Sequence, residues 1–379
     1  MVILSNDVDT SLGERLRTRI ERDGPIGFHD WMQLALYDER EGYYRRSDRL
    51  RWGRAGDYRT APESSPLFAA TLARYFAELF LALGSPASWT IFEAGAGAGE
   101  FARGVLAALR SGHLQAFAAL SYVIDEVSAE ARARSAERLS EFDDQVTFCS
   151  FAEIAQPAGA GIVFSNELID AFPVHRVTVR GGKLRELGVG LVEKSFAWVD
   201  CDLDERVTEY CERAGLRLAE GQIFEINLGT GDFISRAASL VERGFVITID
   251  YGAERSELVN APHRERGTLR AFHRHQIVDD ILARPGEQDL TTTIDWTQVR
   301  EAGERAGLRT VRHERLDRFL LQEGLLEVLE TLANEMTNEA EVLRLRTGAR
   351  EMIMPQGLAA SFQVLVQERL SLASRNVLR

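Results

Sequence analysis

Three alternating glycines, Gly95, Gly97 and Gly99, separate a short apolar run from an amphipathic segment. The run at 89–94 has the length of a buried strand, and residues 101–110 have helical periodicity. Glycine adopts positive φ and lets the backbone approach a ligand closely, because it has no Cβ. A strand, a tight turn and a helix in this order are typical of a site for a nucleotide-like cofactor.

Two carboxylates flank this turn, Glu93 before the first glycine and Glu100 after the last. A dinucleotide site usually has the pattern G-x-G-x-x-G, with the pyrophosphate at the helix N-terminus. Here the spacing is G-x-G-x-G, and Glu100 stands where the third glycine of that pattern would be. Carboxylates repel a pyrophosphate and favour a ligand with a cationic end, such as the sulfonium and amino groups of S-adenosylmethionine. The alternative is an ordinary glycine-rich turn between a strand and a helix.

A second acidic position follows at the end of the next predicted strand, residues 121–126. An acid about 20 to 30 residues after the glycines is where the ribose hydroxyls of a cofactor are bound. Asp125 and Glu126 compete for this role, and strand alternation favours Glu126. The alternative for Asp125 is a solvated charge at the strand end.

Polar residues also close the fourth predicted strand, at Asn166, Glu167 and Asp170. In open α/β sheets ligands bind beyond the carboxyl ends of the strands, so these side chains are expected where a methyl acceptor meets the cofactor. The carboxylates suit a cationic acceptor such as a guanidinium, and one of them can take a proton from the acceptor nitrogen. The alternative is a helix start, with Asn166 as N-cap and the acids in the first turn.

The elements around these residues indicate an α/β fold. Helical segments precede residue 89, after which strands and helices alternate. This alternation predicts a mostly parallel sheet with helices on both faces. Seven predicted strands, the last at 362–367, fit the Rossmann-like sheet of class I methyltransferases. Residues 174–199 are predicted as short strands with a Gly181-Gly182 hairpin turn, and we interpret them as part of an insertion.

The composition excludes several classes of partner. The 58 acidic and 45 basic residues give a formal net charge of −13, which argues against non-specific binding to nucleic acid or anionic membranes. No run approaches the roughly 18 apolar residues of a membrane span, and the first ten residues lack the features of a targeting peptide. The three cysteines have no C-x-x-C spacing, and His273 and His275 are too few for a metal site. We therefore expect a cytoplasmic protein without a bound metal.

The motifs occur together in the MidA-like proteins, which this chain resembles along almost its whole length. The similar stretches are 28–44, with Ala35-Leu-Tyr-Asp and Gly42-Tyr-Tyr44, 56–68, the glycine turn, 166–173, 249–252 and 267–295. The family includes the mitochondrial complex I assembly methyltransferase, an arginine methyltransferase. The resemblance implies a class I S-adenosylmethionine-dependent methyltransferase.

The resemblance also implies roles for particular residues. It implies that Asn166, Glu167 and Asp170 line the pocket, and we predict that they form the catalytic set. It implies a loop at 56–63 that folds over the pocket. It implies a larger set of cofactor-binding residues, which is Glu93, Gly95, Ala96, Gly97, Gly99, Glu126 and Asn166, with Thr60, Pro62 and Glu63 from that loop.

The chain departs from the family pattern at Ala98, Glu100 and Gly104, where other residue types are usual. Glu100 and Gly104 lie beside the cofactor turn, so these departures leave the identity of the methyl acceptor open. We expect nitrogen methylation of a protein, with arginine favoured. The alternatives are a small-molecule methyltransferase and a non-catalytic assembly factor that keeps the cofactor fold.

The predicted domain organisation has two parts. Residues 1–88 form an N-terminal helical cap with a lid loop. Residues 89–379 form the methyltransferase core, with insertions at about 174–228 and 253–294. A homodimer is compatible with this organisation.

Overall fold

The computed structural model describes residues 10–46, 66–274, 276–354 and 357–370. In these ranges the α-helices are α1 (Ser11–Asp23), α2 (Phe28–Tyr37), α3 (Pro66–Ala82), α4 (Glu100–Gly112), α5 (Leu114–Ala118), α6 (Ala129–Arg138), α7 (Glu205–Arg213), α8 (Leu228–Ser239), α9 (Arg255–Asn260), α10 (Trp296–Arg305), α11 (Leu316–Gln322), α12 (Leu325–Glu335) and α13 (Glu339–Ile353). The strands are β1 (Ile26–Gly27), β2 (Trp89–Ala94), β3 (Leu120–Asp125), β4 (Val146–Phe148), β5 (Gly161–Asn166), β6 (His175–Arg180), β7 (Lys183–Val192), β8 (Ser195–Cys201), β9 (Ile223–Ile226), β10 (Gly244–Ala253), β11 (Arg270–His273), β12 (Gln276–Val278), β13 (Asp289–Thr291), β14 (Ile294–Asp295), β15 (Arg309–Arg315) and β16 (Phe362–Arg369).

The central sheet has the strand order β15-β16-β10-β5-β2-β3-β4, and β14 pairs with the end of β10. Strands β10, β5, β2, β3 and β4 are parallel, whereas β16 runs antiparallel to both of its neighbours. This arrangement confirms the predicted mostly parallel, Rossmann-like sheet of the class I type.

Side-chain alternation along the central strands separates two hydrophobic cores. On β2, Trp89 and Ile91 belong to the core that contains the apolar faces of α3 and α4. Phe92 and Ala94 belong to the core on the opposite face, which includes residues of α8 and α10. The sheet is therefore covered by helices on both sides, and its strand ends are fixed by two packed layers.

A second sheet contains β1-β7-β6-β9, with β8 paired to β7. Its β6–β7 hairpin turns at Gly181 and Gly182, whose φ values of 57° and 73° suit the tight turn predicted there. Its strands β6 to β9 come from the segment interpreted as an insertion. A third sheet, β12-β11-β13, comes from residues 270–291, and its strand β13 contacts α2 and the turn that follows β5.

Helix α8 begins earlier than the sequence predicts. The periodicity predicts a start near Asp232, but the helix starts at Leu228 because the Asn227 side chain accepts the Thr230 N–H at 3.0 Å. Among the described residues, no helix has the length and apolar composition that crossing a membrane requires.

Gly104 permits the close packing of α3 on α4. A Cβ placed on Gly104 would lie 2.5 Å from the Cβ of Ala69. The departure from the family pattern at this position therefore concerns helix packing, and Gly104 does not line the cavity described below.

We expect Gly104→Leu to destabilise the protein by about 1–3 kcal/mol or more, because the added side chain forces two packed helices apart. Urea unfolding monitored by circular dichroism measures the change. The matched control is Gly112→Leu in the same helix, where no atom lies within 4 Å of the added Cβ position. Equal stability of the two variants would contradict the packing role of Gly104.

Candidate active site

One large cavity lies at the carboxyl ends of the parallel strands, as expected for an open α/β sheet. Its volume is about 1060 Å³, and the residues after β2, β3, β4, β5 and β10 contribute to its wall. Its wall is rich in ionisable side chains. The carboxyl groups are Glu93, Glu100, Asp125, Glu126, Glu167, Asp170, Asp232 and Asp289, and the guanidinium groups are Arg45, Arg236, Arg264 and Arg270. Carboxyl groups outnumber guanidinium groups, so the described wall favours a ligand with cationic groups.

The glycine turn adopts the backbone conformation that its sequence requires. Gly95, Gly97 and Gly99 have φ values of 71°, 54° and 81°. A Cβ on Gly99 would lie 2.4 Å from the Ser135 Oγ on α6, so the turn also packs tightly against that helix. Gly95 and Gly97 line the cavity, and a Cβ on Gly95 would lie 2.9 Å from the Leu168 Cδ1, so the turn is also packed against the residues after β5.

Glu126 connects the glycine turn to the end of β3. Its Oε2 accepts the Gly97 N–H at 2.8 Å, and its Oε1 accepts the Ser128 N–H at 2.7 Å. The side chain is buried and lines the cavity. The Glu126 carboxylate is thus fixed at the end of β3, where the ribose hydroxyls of a cofactor are expected.

The charges beside the turn differ from the sequence expectation. Glu93 is buried and accepts the Tyr122 hydroxyl at 2.7 Å, and burial raises the pKa of Glu93 to about 8. Glu100 forms an ion pair with Arg138 at 2.5 Å. Glu93 is therefore largely protonated at neutral pH and Glu100 is paired, so neither supplies the full free charge that the sequence argument assigned to it.

A loop after β4 completes one end of the cavity, through Ser150, Phe151 and Ala152. Asp125, expected as a solvated charge, is half-buried and accepts the Phe151 N–H at 2.7 Å. Burial raises its pKa. Arg236 on α8 donates from Nε to the Phe151 carbonyl at 2.7 Å and from Nη2 to the Ile154 carbonyl at 2.6 Å. Sequence reasoning missed this loop, since no motif marks the end of β4.

The other end of the cavity contains Asn166, Glu167 and Asp170, as predicted. Asn166 is the last residue of β5 and its Nδ2 donates to Glu167 Oε1 at 3.2 Å, while its buried Oδ1 has no hydrogen-bond partner. Glu167 has a φ of 50° and its N–H donates to the Ile249 carbonyl at 3.0 Å. Only a three-residue 3-10 turn follows, at Ile169–Ala171, and Asn166 does not cap it. The helix N-cap alternative is therefore wrong.

Asp250 fixes the backbone of this end. It is fully buried at the end of β10 and accepts the N–H groups of Ile169 at 3.1 Å, Asp170 at 3.3 Å and Tyr251 at 2.9 Å. Burial, together with the charges of Asp170 and Glu167, raises the pKa of Asp250 well above its usual range. The adjacent Tyr251 donates its hydroxyl to Asp170 Oδ2.

Asp170 is itself a buried acid with an altered pKa. Burial raises the pKa of Asp170 to about 6, against the opposing effects of the Tyr251 hydroxyl and the Arg270 charge. A carboxyl group with this pKa is mostly ionised at neutral pH and still accepts a proton readily, which suits a general base.

Helix α8 contacts both ends of the cavity. At its start, the Asn227 Nδ2 donates to the Ile169 carbonyl at 3.0 Å, and Phe233 packs edge-on against Phe172 with ring centroids 5.7 Å apart. Further along, Arg236 binds the loop after β4. The loop at 150–154 and the loop at 166–173 are thus positioned by one helix.

The described part of the chain brings most of the predicted residues together. Those that line the cavity are Glu93, Gly95, Ala96, Gly97, Glu126, Asn166, Glu167 and Asp170. Gly99 belongs to the turn but does not line the cavity. Thr60, Pro62 and Glu63, with the loop at 56–63, lie outside the described residues. Sequence reasoning assigned no role to Tyr37, Tyr251, Arg270 or Phe272, which also line the cavity.

This fold and site define a class of protein, an α/β transferase with a nucleotide-like cofactor at the strand ends. Residues 71–313 match the model of a family described as "Putative S-adenosyl-L-methionine-dependent methyltransferase". The match covers more than half of the chain, which therefore belongs to this methyltransferase family.

Curated relatives cover nearly the whole chain. It is similar to the protein arginine methyltransferase NDUFAF7 homolog, mitochondrial, of Drosophila melanogaster, with 26% identity over 94% of this chain and 84% of that protein. The mitochondrial protein arginine methyltransferase NDUFAF7 of Mus musculus is also 26% identical, over 94% and 84% of the two chains.

Two solved structures from Burkholderia thailandensis share the architecture. A COG1565 superfamily member bound to S-adenosyl-homocysteine is 29% identical, with a TM-score of 0.83 over 96% of this chain and 95% of that one. A native COG1565 superfamily protein is 30% identical, with a TM-score of 0.81 over the same shares.

The chain is an S-adenosylmethionine-dependent methyltransferase, and the cavity fits this cofactor. A cavity of about 1060 Å³ accommodates it together with an acceptor. The positive-φ glycines Gly95 and Gly97 line it, together with the buried carboxylate of Glu126.

We expect Glu126→Gln to weaken binding of S-adenosylhomocysteine by about tenfold or more, since an amide cannot accept both backbone N–H groups and a ribose hydroxyl. Isothermal titration calorimetry measures the affinity. Glu137→Gln, an exposed acid on α6, is the control. Unchanged affinity in Glu126→Gln would exclude Glu126 as a ribose ligand.

We expect Glu93 to make stability depend on pH. The folded state binds its proton more tightly than the unfolded chain does, so its contribution is full below about pH 4.3 and is lost as the pH rises through about 8. Urea unfolding across this range should show a smaller decline in Glu93→Gln than in the wild type. Glu137→Gln serves as the matched control, and parallel curves for the wild type and Glu93→Gln would contradict the assignment.

Proposed function

We propose that this enzyme methylates a nitrogen atom of an arginine side chain in a protein. The observation that carries the proposal is the acidic acceptor end of the cavity, where Glu167 and Asp170 stand beside Asn166. A guanidinium is planar and cationic, and carboxylates bind it with paired hydrogen bonds. The names of the curated relatives agree with this acceptor.

The residues have separate roles in this proposal. S-adenosylmethionine supplies an electrophilic methyl group. Glu167 and the Asn166 Oδ1 orient the acceptor N–H groups for in-line transfer, which depends on positioning. Asp170 takes the proton that leaves the acceptor nitrogen. The Tyr251 hydroxyl holds the Asp170 carboxylate in place.

Two other functions compete with this one. A small-molecule methyltransferase would use the same core, and an assembly factor would need the cofactor only as a structural ligand. Mass spectrometry of methylated arginine peptides from cells with and without the protein separates them. Peptides that lose methylation, and regain it with the purified enzyme, support the proposal. Unchanged arginine methylation would reject it. The cytoplasmic location and the homodimer stay predictions.

We expect Asp170→Asn to lower kcat by roughly 10²- to 10⁴-fold, the usual contribution of a general base. In the wild type, kcat/KM should rise as the pH passes about 6, because Asp170 accepts a proton only when ionised. Methyl transfer to an arginine peptide, followed across pH, measures both effects. Asp143→Asn, an exposed control, should behave as wild type. A variant that keeps the inflection near that pH would exclude Asp170 as the base.

A further inference from the structure

Arg270 is a cation in the cavity wall whose charge is not paired. Its Nε is buried without a hydrogen-bond partner, and its guanidinium makes no hydrogen bond or ion pair with any described residue. The guanidinium lies 4.9 Å from the centroid of the Tyr251 ring. Leaving a donor buried and unpaired is unfavourable, so a side chain kept in this state is expected to meet a ligand.

The three-stranded sheet directs Arg270 into the cavity. Along β11, Arg270 and Phe272 line the cavity, whereas Ala271 between them is fully buried in the core that contains α1 and α2. Across from them on β13, Asp289 and Thr291 line the cavity and Leu290 enters the same core. Strand alternation therefore fixes the direction of Arg270 on a rigid wall.

The wall stands at the acceptor end. The sheet order is β10-β5-β2-β3-β4, so a cofactor that spans the turn after β2, Glu126 after β3 and the loop after β4 leaves the ends of β5 and β10 to the acceptor. Arg270 lies beyond β10, over Tyr251. Its charge lowers the pKa of Asp170, but the two side chains form no ion pair.

We propose that Arg270 binds a carboxylate of the methyl acceptor. The inference rests on the proposed methyl transfer and narrows its acceptor: the methylated cationic group must have an acidic group close by. Such an acceptor has both charges, and this end of the cavity offers Glu167 and Asp170 to the cation and Arg270 to the anion. A planar guanidinium can donate two parallel N–H bonds to a carboxylate, and its cation–π contact with the face of the Tyr251 ring helps to hold it in place.

The first test needs no knowledge of the acceptor. Saturation-transfer NMR on the protein saturated with S-adenosylhomocysteine compares N-acetylglutamate with N-acetylglutamine as probes. We expect transfer to the acid and little to the amide. Arg270→Gln should abolish the signal of the acid, and Arg270→Lys should weaken it. Arg266→Gln, an exposed arginine on the preceding turn, is the matched control.

The second test addresses the source of the carboxylate. Arginine-centred peptides carry Glu or Gln at each flanking position in turn, and kcat/KM is measured for methyl transfer. We expect Glu to be preferred by about tenfold or more at one position at least, and Arg270→Gln to remove the preference. A preference for free amino acids over peptides would assign the carboxylate to a small acceptor.

The outcomes separate this inference from the proposed function. If peptides are methylated without a charge preference, or with a preference that persists in Arg270→Gln, the role of Arg270 is overturned and arginine methylation stands. Peptides that are not methylated, with a positive NMR result, would reject arginine methylation and keep the carboxylate site. Equal NMR signals for both probes in the wild type, or a tenfold loss of S-adenosylhomocysteine affinity in Arg270→Gln, would overturn the inference. The affinity loss would place the cofactor's own carboxylate on Arg270.

Discussion

The end of the cavity that contains Asn166, Glu167 and Asp170 depends on one buried carboxyl group. Asp250 lies at the end of β10 and accepts three backbone N–H groups, two of them from the turn that contains Asp170. A polar group so deeply buried is tolerated only when it is hydrogen-bonded. These bonds therefore determine where the chain turns after β5, and hence where Asn166, Glu167 and Asp170 face the cavity.

The cofactor end follows the same physical rule. Glu126 accepts N–H groups from the glycine turn and from the start of α6, and Asp125 accepts one from the loop after β4. Acids at the strand ends thus organise the backbone around the cavity as well as offering oxygens to ligands. This explains why so many carboxyl groups share one site: several are neutralised by burial or satisfied by backbone donors, which limits their mutual repulsion.

Much of this arrangement follows from local sequence signals. Period-two patterning reveals where β2, β3 and β5 end. The glycine turn, the acid after β3 and the polar residues at the end of β5 were predicted from those strand ends, and the structure brings all three to one cavity. The protonation and pairing of the acids could not be predicted from the sequence. Glu93 is buried under Tyr122 and Glu100 is paired with Arg138, and both contacts join residues far apart in the chain. The loop after β4 was missed because no motif marks it, and the β11–β13 wall was missed because its short strands leave little periodic signal. The start of α8 was misplaced because its cap is the side chain of Asn227, outside the apolar pattern.

The two supports of the cavity differ in how freely they can diverge. Helix α8 touches the loops at both ends, so a substitution in it perturbs cofactor and acceptor together and is exposed to selection on both. The β11–β13 wall contacts the turn after β5, and its core side is anchored by Ala271 and Leu290. Cavity-facing residues of that wall can therefore be substituted while the cofactor-binding residues stay unchanged. Within such a family, lineages can acquire new acceptors by changing a few residues of this wall.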